Sequence, residues 1–147
     1  MKTIYSVMLL PFLVILLFVT HVSGSEWDEY GRSSQGDILS YNGGSIKQMA
    51  KDIVQVKTKV DFSDEGREAY FEFWRSQGIS TNKIDKLSYI SDLQEIDCNK
   101  KLFRTLSTTF YDNKGNILEI AEPDVNIVWG TIIQDTVIDT LQKLVCK

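Results

Sequence analysis

The stretch KLSYISDLQEIDCNKKLFRTLSTTFY, Lys86 to Tyr111, decides the fold. Two runs rich in Leu, Ile, Phe, Tyr and Thr flank Asn99-Lys100, the pattern of two strands joined by a tight turn. A turn centred there sets Glu95 opposite Arg104, Leu93 opposite Leu106, and Tyr89 opposite Phe110. On the other side of the ribbon it sets Ile96 opposite Phe103. Opposite charges meet and apolar residues meet apolar ones, as in stable cross-strand pairs.

Strand signals extend outward from this hairpin in both directions. DNKG, Asp112 to Gly115, reads as a type I turn with glycine in the left-handed position, leading into the strand NILEIAE. Upstream, EWDEYGRS (Glu26 to Ser33) and ILSY (Ile38 to Tyr41) read as two strands, with Asn42-Gly43-Gly44 breaking the chain after the second. In IVQVKTKV, Val54, Val56, Thr58 and Val60 alternate with Gln55, Lys57 and Lys59, a period of two that marks a third strand.

The period then changes. Ser63 can cap a helix over Asp64 to Gln77, Asp64 and Glu65 suit its positive end, and Gly78 is a natural stop. Tyr70, Phe73 and Trp74 fall at i, i+3 and i+4 and form its expected core face. After Pro123, NIVWGTII reads as a loop or an edge strand. DTVIDTLQKLVCK reads as a C-terminal helix capped by Asp135, with Val137, Ile138, Leu141, Leu144 and Val145 in one apolar stripe. The expected fold is α+β. An antiparallel sheet of about six strands carries one helix between strands three and four and a second at the C-terminus.

The N-terminus reads MKTIYSVMLLPFLVILLFVTHVSG. A basic Lys2, an unbroken apolar run and Val22-Ser23-Gly24 make the three-part pattern of a secretory signal peptide, with cleavage expected after Gly24. The apolar run is short for a membrane span, so no permanent span is expected after cleavage. Residues 25–147 then suit one domain with one core. The chain carries a formal net charge of −4, and Lys2 leaves with the leader. An acidic domain is a poor candidate for nucleic acid or anionic lipid.

Export gives the two cysteines a meaning. In an oxidising compartment Cys98 and Cys146 are expected to pair. The bond closes a loop of about 48 residues, worth ~4 kcal/mol in the chain-entropy model. It would pin the terminal helix to the sheet face that carries Ile96 and Phe103.

Patterns for catalysis are largely missing. His21 is the one histidine and departs with the leader, which excludes Ser-His-Asp and Cys-His chemistry and imidazole metal ligation. STNK (Ser80 to Lys83) matches S-x-x-K without the supporting S-D-N and K-T-G elements. DNKGN misplaces lysine and glycine for a calcium loop. Asp135 and Asp139 lie one helical turn apart and read as a solvated face; Asn99 to Lys101 with Arg104 make a small basic patch. No catalytic, cofactor-binding or metal-ligating residue is assigned. A periplasmic enzyme with an unrecognised site and a structural accessory protein of the envelope stand as the alternatives to a binding protein.

Trp27, the central EIDCNKKLFR followed by YDNKGNIL, Trp129 and the terminal LQKLVC together resemble the bacterial surface-adhesin protein E family. The resemblance spans the mature chain. It implies an antiparallel sheet that holds the C-terminal helix through a disulfide. It also implies an exported, non-enzymatic protein that binds extracellular matrix proteins of a host. No cysteine follows the cleavage site for lipid attachment, so periplasmic or secreted placement is expected rather than surface display.

The hairpin register puts Tyr89, Leu93, Leu106 and Phe110 on the face opposite Ile96, Cys98 and Phe103. Two outcomes follow. The Asp64 to Gln77 helix docks there as the third layer and covers that face in part, which is the favoured arrangement. Otherwise those four residues form an exposed patch for a protein partner or a homodimer.

Overall fold

A computed structural model describes residues 26–122 and 128–147. The expected leader, residues 1–24, lies outside the described residues, as does Pro123. The described elements run β1 (Asp28–Arg32), β2 (Ile38–Ala50), β3 (Ile53–Asp61), α1 (Asp64–Ser76), a short 3-10 turn (Asn82–Ile84), β4 (Tyr89–Asp97), β5 (Leu102–Tyr111), β6 (Ile117–Ala121), β7 (Gly130–Thr131) and α2 (Val137–Val145). The strands form one antiparallel sheet in sequence order from β1 to β6. β7 pairs with the far part of β5, at Leu102 and Phe103.

The hairpin register holds next to its turn and fails beyond it. Glu95 lies opposite Arg104 and Ile96 opposite Phe103, but Tyr89 lies opposite Tyr111 and Leu93 opposite Ser107. Leu106 is the extra residue of a bulge between these two zones, and a bulge exchanges the faces of every residue after it. Phe110 therefore shares the face of Ile96, not that of Tyr89. The turn uses the Asp97 carboxylate to accept the backbone N–H groups of Asn99 and Lys100, at 3.1 and 2.8 Å.

β2 runs through Asn42-Gly43-Gly44 and does not stop there. Its pairing with β3 is interrupted between Asn42 and Lys47, where four residues stand against one. The side-chain hydroxyl of Ser45 accepts the Lys57 N–H at 2.8 Å and bridges the gap.

β3 pairs with β4 through nine consecutive residues without interruption, so its side chains alternate strictly. Val54, Val56, Thr58 and Val60 point to one face. Val54 and Val56 pack with Ile96, Leu141 and Val145 beneath α2. Val60 packs beside Phe71, Ile90 and Phe110 beneath α1. Both helices thus cover the same face, over opposite ends of the strands. The favoured arrangement, with α1 on the other face, is not what forms. Once the bulge has turned Phe110 around, the apolar surface α1 needs lies beside α2.

α1 begins as its sequence dictates. Ser63 caps it by accepting the Gly66 N–H at 2.9 Å. Its buried anchor, however, is Phe71; Tyr70 and Trp74 flank it half-buried, and Phe73 is 57% exposed. α2 is capped by Thr136, and the preceding Asp135 instead takes a left-handed backbone, donating its N–H to the Asp139 carboxylate at 3.1 Å. The Cys98–Cys146 disulfide joins the end of β4 to the end of α2.

Between the two apolar clusters runs a polar row. Tyr41, Thr58, Asp92 and Thr108 lie side by side on successive strands. Asp92 accepts the Thr108 hydroxyl. Burial raises the Asp92 carboxyl above its usual range, against the lowering effect of hydrogen bonds from Thr108 and Gln94. Burial, with the nearby Asp92, pushes Tyr30 up to about 12.

Candidate functional site

The residues that alternate with the core build the sheet's other face, which neither helix covers. Its central rows follow from the pairing. Asn42, Lys57, Leu93 and Ser107 form one, and Ser40, Lys59, Ser91 and Thr109 the next. Asp61, Tyr89 and Tyr111 stand beyond them; Lys47, Gln55, Glu95 and Arg104 lie on the opposite flank. β-branched and apolar residues face the helices while Gln, Lys and Ser face outward, the alternation of a sheet with one solvated side.

Two ends of this face are organised by aromatic rings. The rings of Tyr89 and Tyr111 stack, with centroids 4.6 Å apart and planes within 8°. The Lys59 ammonium lies over both Trp27 and Tyr89, 5.5 and 5.6 Å from their ring centres, and pairs with Asp61 at 2.8 Å. Burial raises the Tyr89 hydroxyl above its ordinary value, and Tyr111, Asp61 and Asp112 add to the rise. At the other end Arg104 binds Glu95 at 2.6 Å and sits 4.4 Å from the Trp129 ring centre. Ammonium and guanidinium groups on ring faces are attracted by the ring quadrupole.

Between these ends lies a shallow trough of about 550 Å³, lined by Asn42, Ser45, Lys47, Gln55, Lys57 and Leu93 among others. It exists because β2 departs from β3 at residues 43–46. A second depression of about 340 Å³, around Trp27, Lys59 and Tyr89, shares Glu26 and Lys57 with it. Lys47 and Lys57 are exposed and form no ion pair among the described residues. Glu26, the acidic group of the trough, accepts the Asn42 side-chain amide at 2.7 Å. The groups on offer are ammonium, amide and hydroxyl, suited to recognition by charge and hydrogen bonding.

Of the four residues expected to form a partner face, Tyr89 and Leu93 belong to this surface. Phe110 is buried beneath α1, and Leu106 is the inserted residue of the bulge. The basic patch at the hairpin turn is partly engaged, with Arg104 on Glu95 and Lys100 4.0 Å from Asp97. Lys83 of the S-x-x-K match binds Glu119 at 3.2 Å. Among the described residues no group of three or more His, Cys, Asp or Glu could hold a metal ion. None of their helices is long and apolar enough to cross a membrane. Lys47, Lys57, Lys59 and Trp27 were missed by sequence reasoning. For Lys57 and Lys59 the signal was present in the polar positions of IVQVKTKV, which define a face as surely as the valines do; Lys47 and Trp27 lie outside that stretch.

A family model described as surface-adhesin protein E matches residues 27–147. Among solved structures, crystal form II of Haemophilus influenzae protein E superposes with a TM-score of 0.56 at 16% identity, covering 84% of this chain and 88% of that one. The selenomethionine form of the same protein gives 0.54 at 13% identity, covering 84% and 87%. Protein E from non-typeable Haemophilus influenzae gives 0.53 at 13%, covering 84% and 76%. At these identities the likeness is one of fold. A sequence comparison with curated proteins returns no match.

Proposed function

We propose a function from one premise: the chain belongs to the surface-adhesin protein E family. It is an exported, non-enzymatic binding protein that engages an extracellular protein through the helix-free face of its sheet. One observation carries this reading. Both helices stack on one side, leaving Trp27, Lys57, Lys59, Tyr89, Leu93 and Tyr111 on a continuous surface with a trough along it. Interface cores favour aromatic residues, which this face gathers at both ends of its trough.

Surface plasmon resonance against purified host extracellular matrix proteins tests the reading. Leu93→Asp should weaken capture at least roughly tenfold, as loss of a central contact does, while the melting temperature stays unchanged. Capture of none of these proteins, or equal capture by wild type and Leu93→Asp, would overturn it. Export rests on the leader pattern, with the mature chain starting at Ser25 in the periplasm or outside the cell. N-terminal sequencing of exported protein that still reads from Met1 would refute that placement.

A further inference from the structure

The trough on the helix-free face runs against the charge of the chain. The whole sequence is acidic at −4, yet Lys47, Lys57 and Lys59 are brought to this one surface. Lys59 is already neutralised by Asp61 and held over two rings. Lys47 and Lys57 are not: they flank Gln55, form no ion pair among the described residues, and extend into solvent at the rim. Glu26, which could oppose them, has its carboxylate turned to the Asn42 amide. Leu93, a half-buried apolar side chain, lies directly opposite Lys57 on β4, so Lys57 stands between Lys47 and an apolar floor.

From this juxtaposition we infer that the trough is a seat for an acidic polypeptide segment of the partner, in which carboxylates lie beside an aliphatic residue. The carboxylates meet Lys47 and Lys57 and the aliphatic side chain rests on Leu93; Gln55 supplies an amide contact for its backbone, while Asn42, bound to Glu26, and Ser45, bound to the Asn42 carbonyl and the Lys57 N–H, shape the wall. Charge complementarity of this kind sets partner choice and speeds encounter. The apolar floor separates this occupant from a sulfated glycan, which would use the lysines but has no side chain for Leu93. The trough also has the dimensions of pockets that take compact ligands, several hundred cubic ångströms. This inference rests on the helix-free face being the binding surface.

Fluorescence anisotropy tests it with three probes: a short peptide alternating glutamate and leucine, the same peptide with lysine for glutamate, and heparin. The mature protein should bind the acidic peptide and not the basic one, with affinity falling as salt rises. Lys47→Glu with Lys57→Glu should weaken binding at least roughly tenfold, since reversed charges then face the ligand. Lys51→Glu with Lys147→Glu makes the same change in net charge beside the disulfide and should leave affinity unaltered. Equal binding of the two peptides, or equal losses in both double variants, overturns the inference. Preference for heparin that disappears with Lys47→Glu and Lys57→Glu overturns it in favour of a glycan. If capture of a matrix protein needs Leu93 but ignores Lys47 and Lys57, the acidic-segment assignment falls while the binding role stands.

Discussion

The Asp37 carboxylate occupies the space that a side chain on Gly66 would need. An ideal Cβ there would lie 1.8 Å from Asp37 Oδ1. That oxygen accepts the Ser63 N–H at 2.9 Å and the Ser63 hydroxyl at 3.1 Å, while Oδ2 accepts from Ser33. The turn between β1 and β2 is thereby tied to the first residues of α1. Gly66→Ala should destabilise strongly, because either α1 must lift or the carboxylate must leave its three donors. Asp37→Ala should cost about 1–3 kcal/mol, the usual consequence of leaving buried donors unpaired. In the double variant the clash is gone, so its loss should fall well short of the summed single losses. Denaturant titration of the three proteins measures this; strict additivity would show that the two residues do not share the site.

Cys98→Ser, Cys146→Ser and the double replacement should lower stability by the same amount. All three remove one cross-link, with a ceiling of ~4 kcal/mol from chain entropy. Reduced wild type should melt with them. A double variant markedly less stable than either single would show that the thiols do something besides bond each other.

The aromatic residues of α1 should separate by depth. Phe71 is 7% exposed among Ile84, Leu87, Ile90 and Phe110, so Phe71→Ala should cost about 3–5 kcal/mol. Trp74→Ala should cost less because its ring lies at the rim of a groove beside Ile79. Phe73→Ala, at an exposed position, should change the melting temperature little. The reverse order for Phe71 and Phe73 would mean that α1 docks through a different face.

Asp92 should make stability depend on pH. Its folded carboxyl is raised by burial, so its contribution is fully present below the unfolded value and is lost as pH rises through the folded one. Asp92→Asn mimics the neutral form. Its stability relative to wild type should therefore be smallest in acid, rise from near pH 4, and level off once the folded carboxyl has ionised. A constant difference across that range would show that Asp92 is not held above its ordinary value.

The parts of this fold that sequence reveals are those decided by near neighbours. Glu95 meets Arg104 because both lie close to the turn; Ser63 caps α1 and the C-terminal stripe of Leu141 and Val145 finds the core for the same reason. The bulge at Leu106 has no local signature, since Thr105, Leu106 and Ser107 continue a plausible strand. That single inserted residue moved Phe110 to the other face and took α1 with it. Asn42-Gly43-Gly44 looks like a strand end. β2 nevertheless continues: it rejoins β3 at Lys47, and the bridge from Ser45 to Lys57 spans the gap through a partner strand that sequence does not place. The cationic trough was hidden for the same reason: Lys47 and Lys57 become neighbours only when β2 bows away from β3.

A sheet that packs on one side divides its own positions into two kinds of inheritance. Val54, Val56, Thr58 and Val60 answer to the core, where a lost methyl group is felt. Gln55 and Lys57 lie outside both core clusters, and solvent-side substitutions of that sort usually change stability by less than about 0.5 kcal/mol. Those positions of β3 can therefore drift without endangering the fold. Under the binding role proposed above, the face could follow a changing partner one residue at a time, keeping the scaffold beneath it intact.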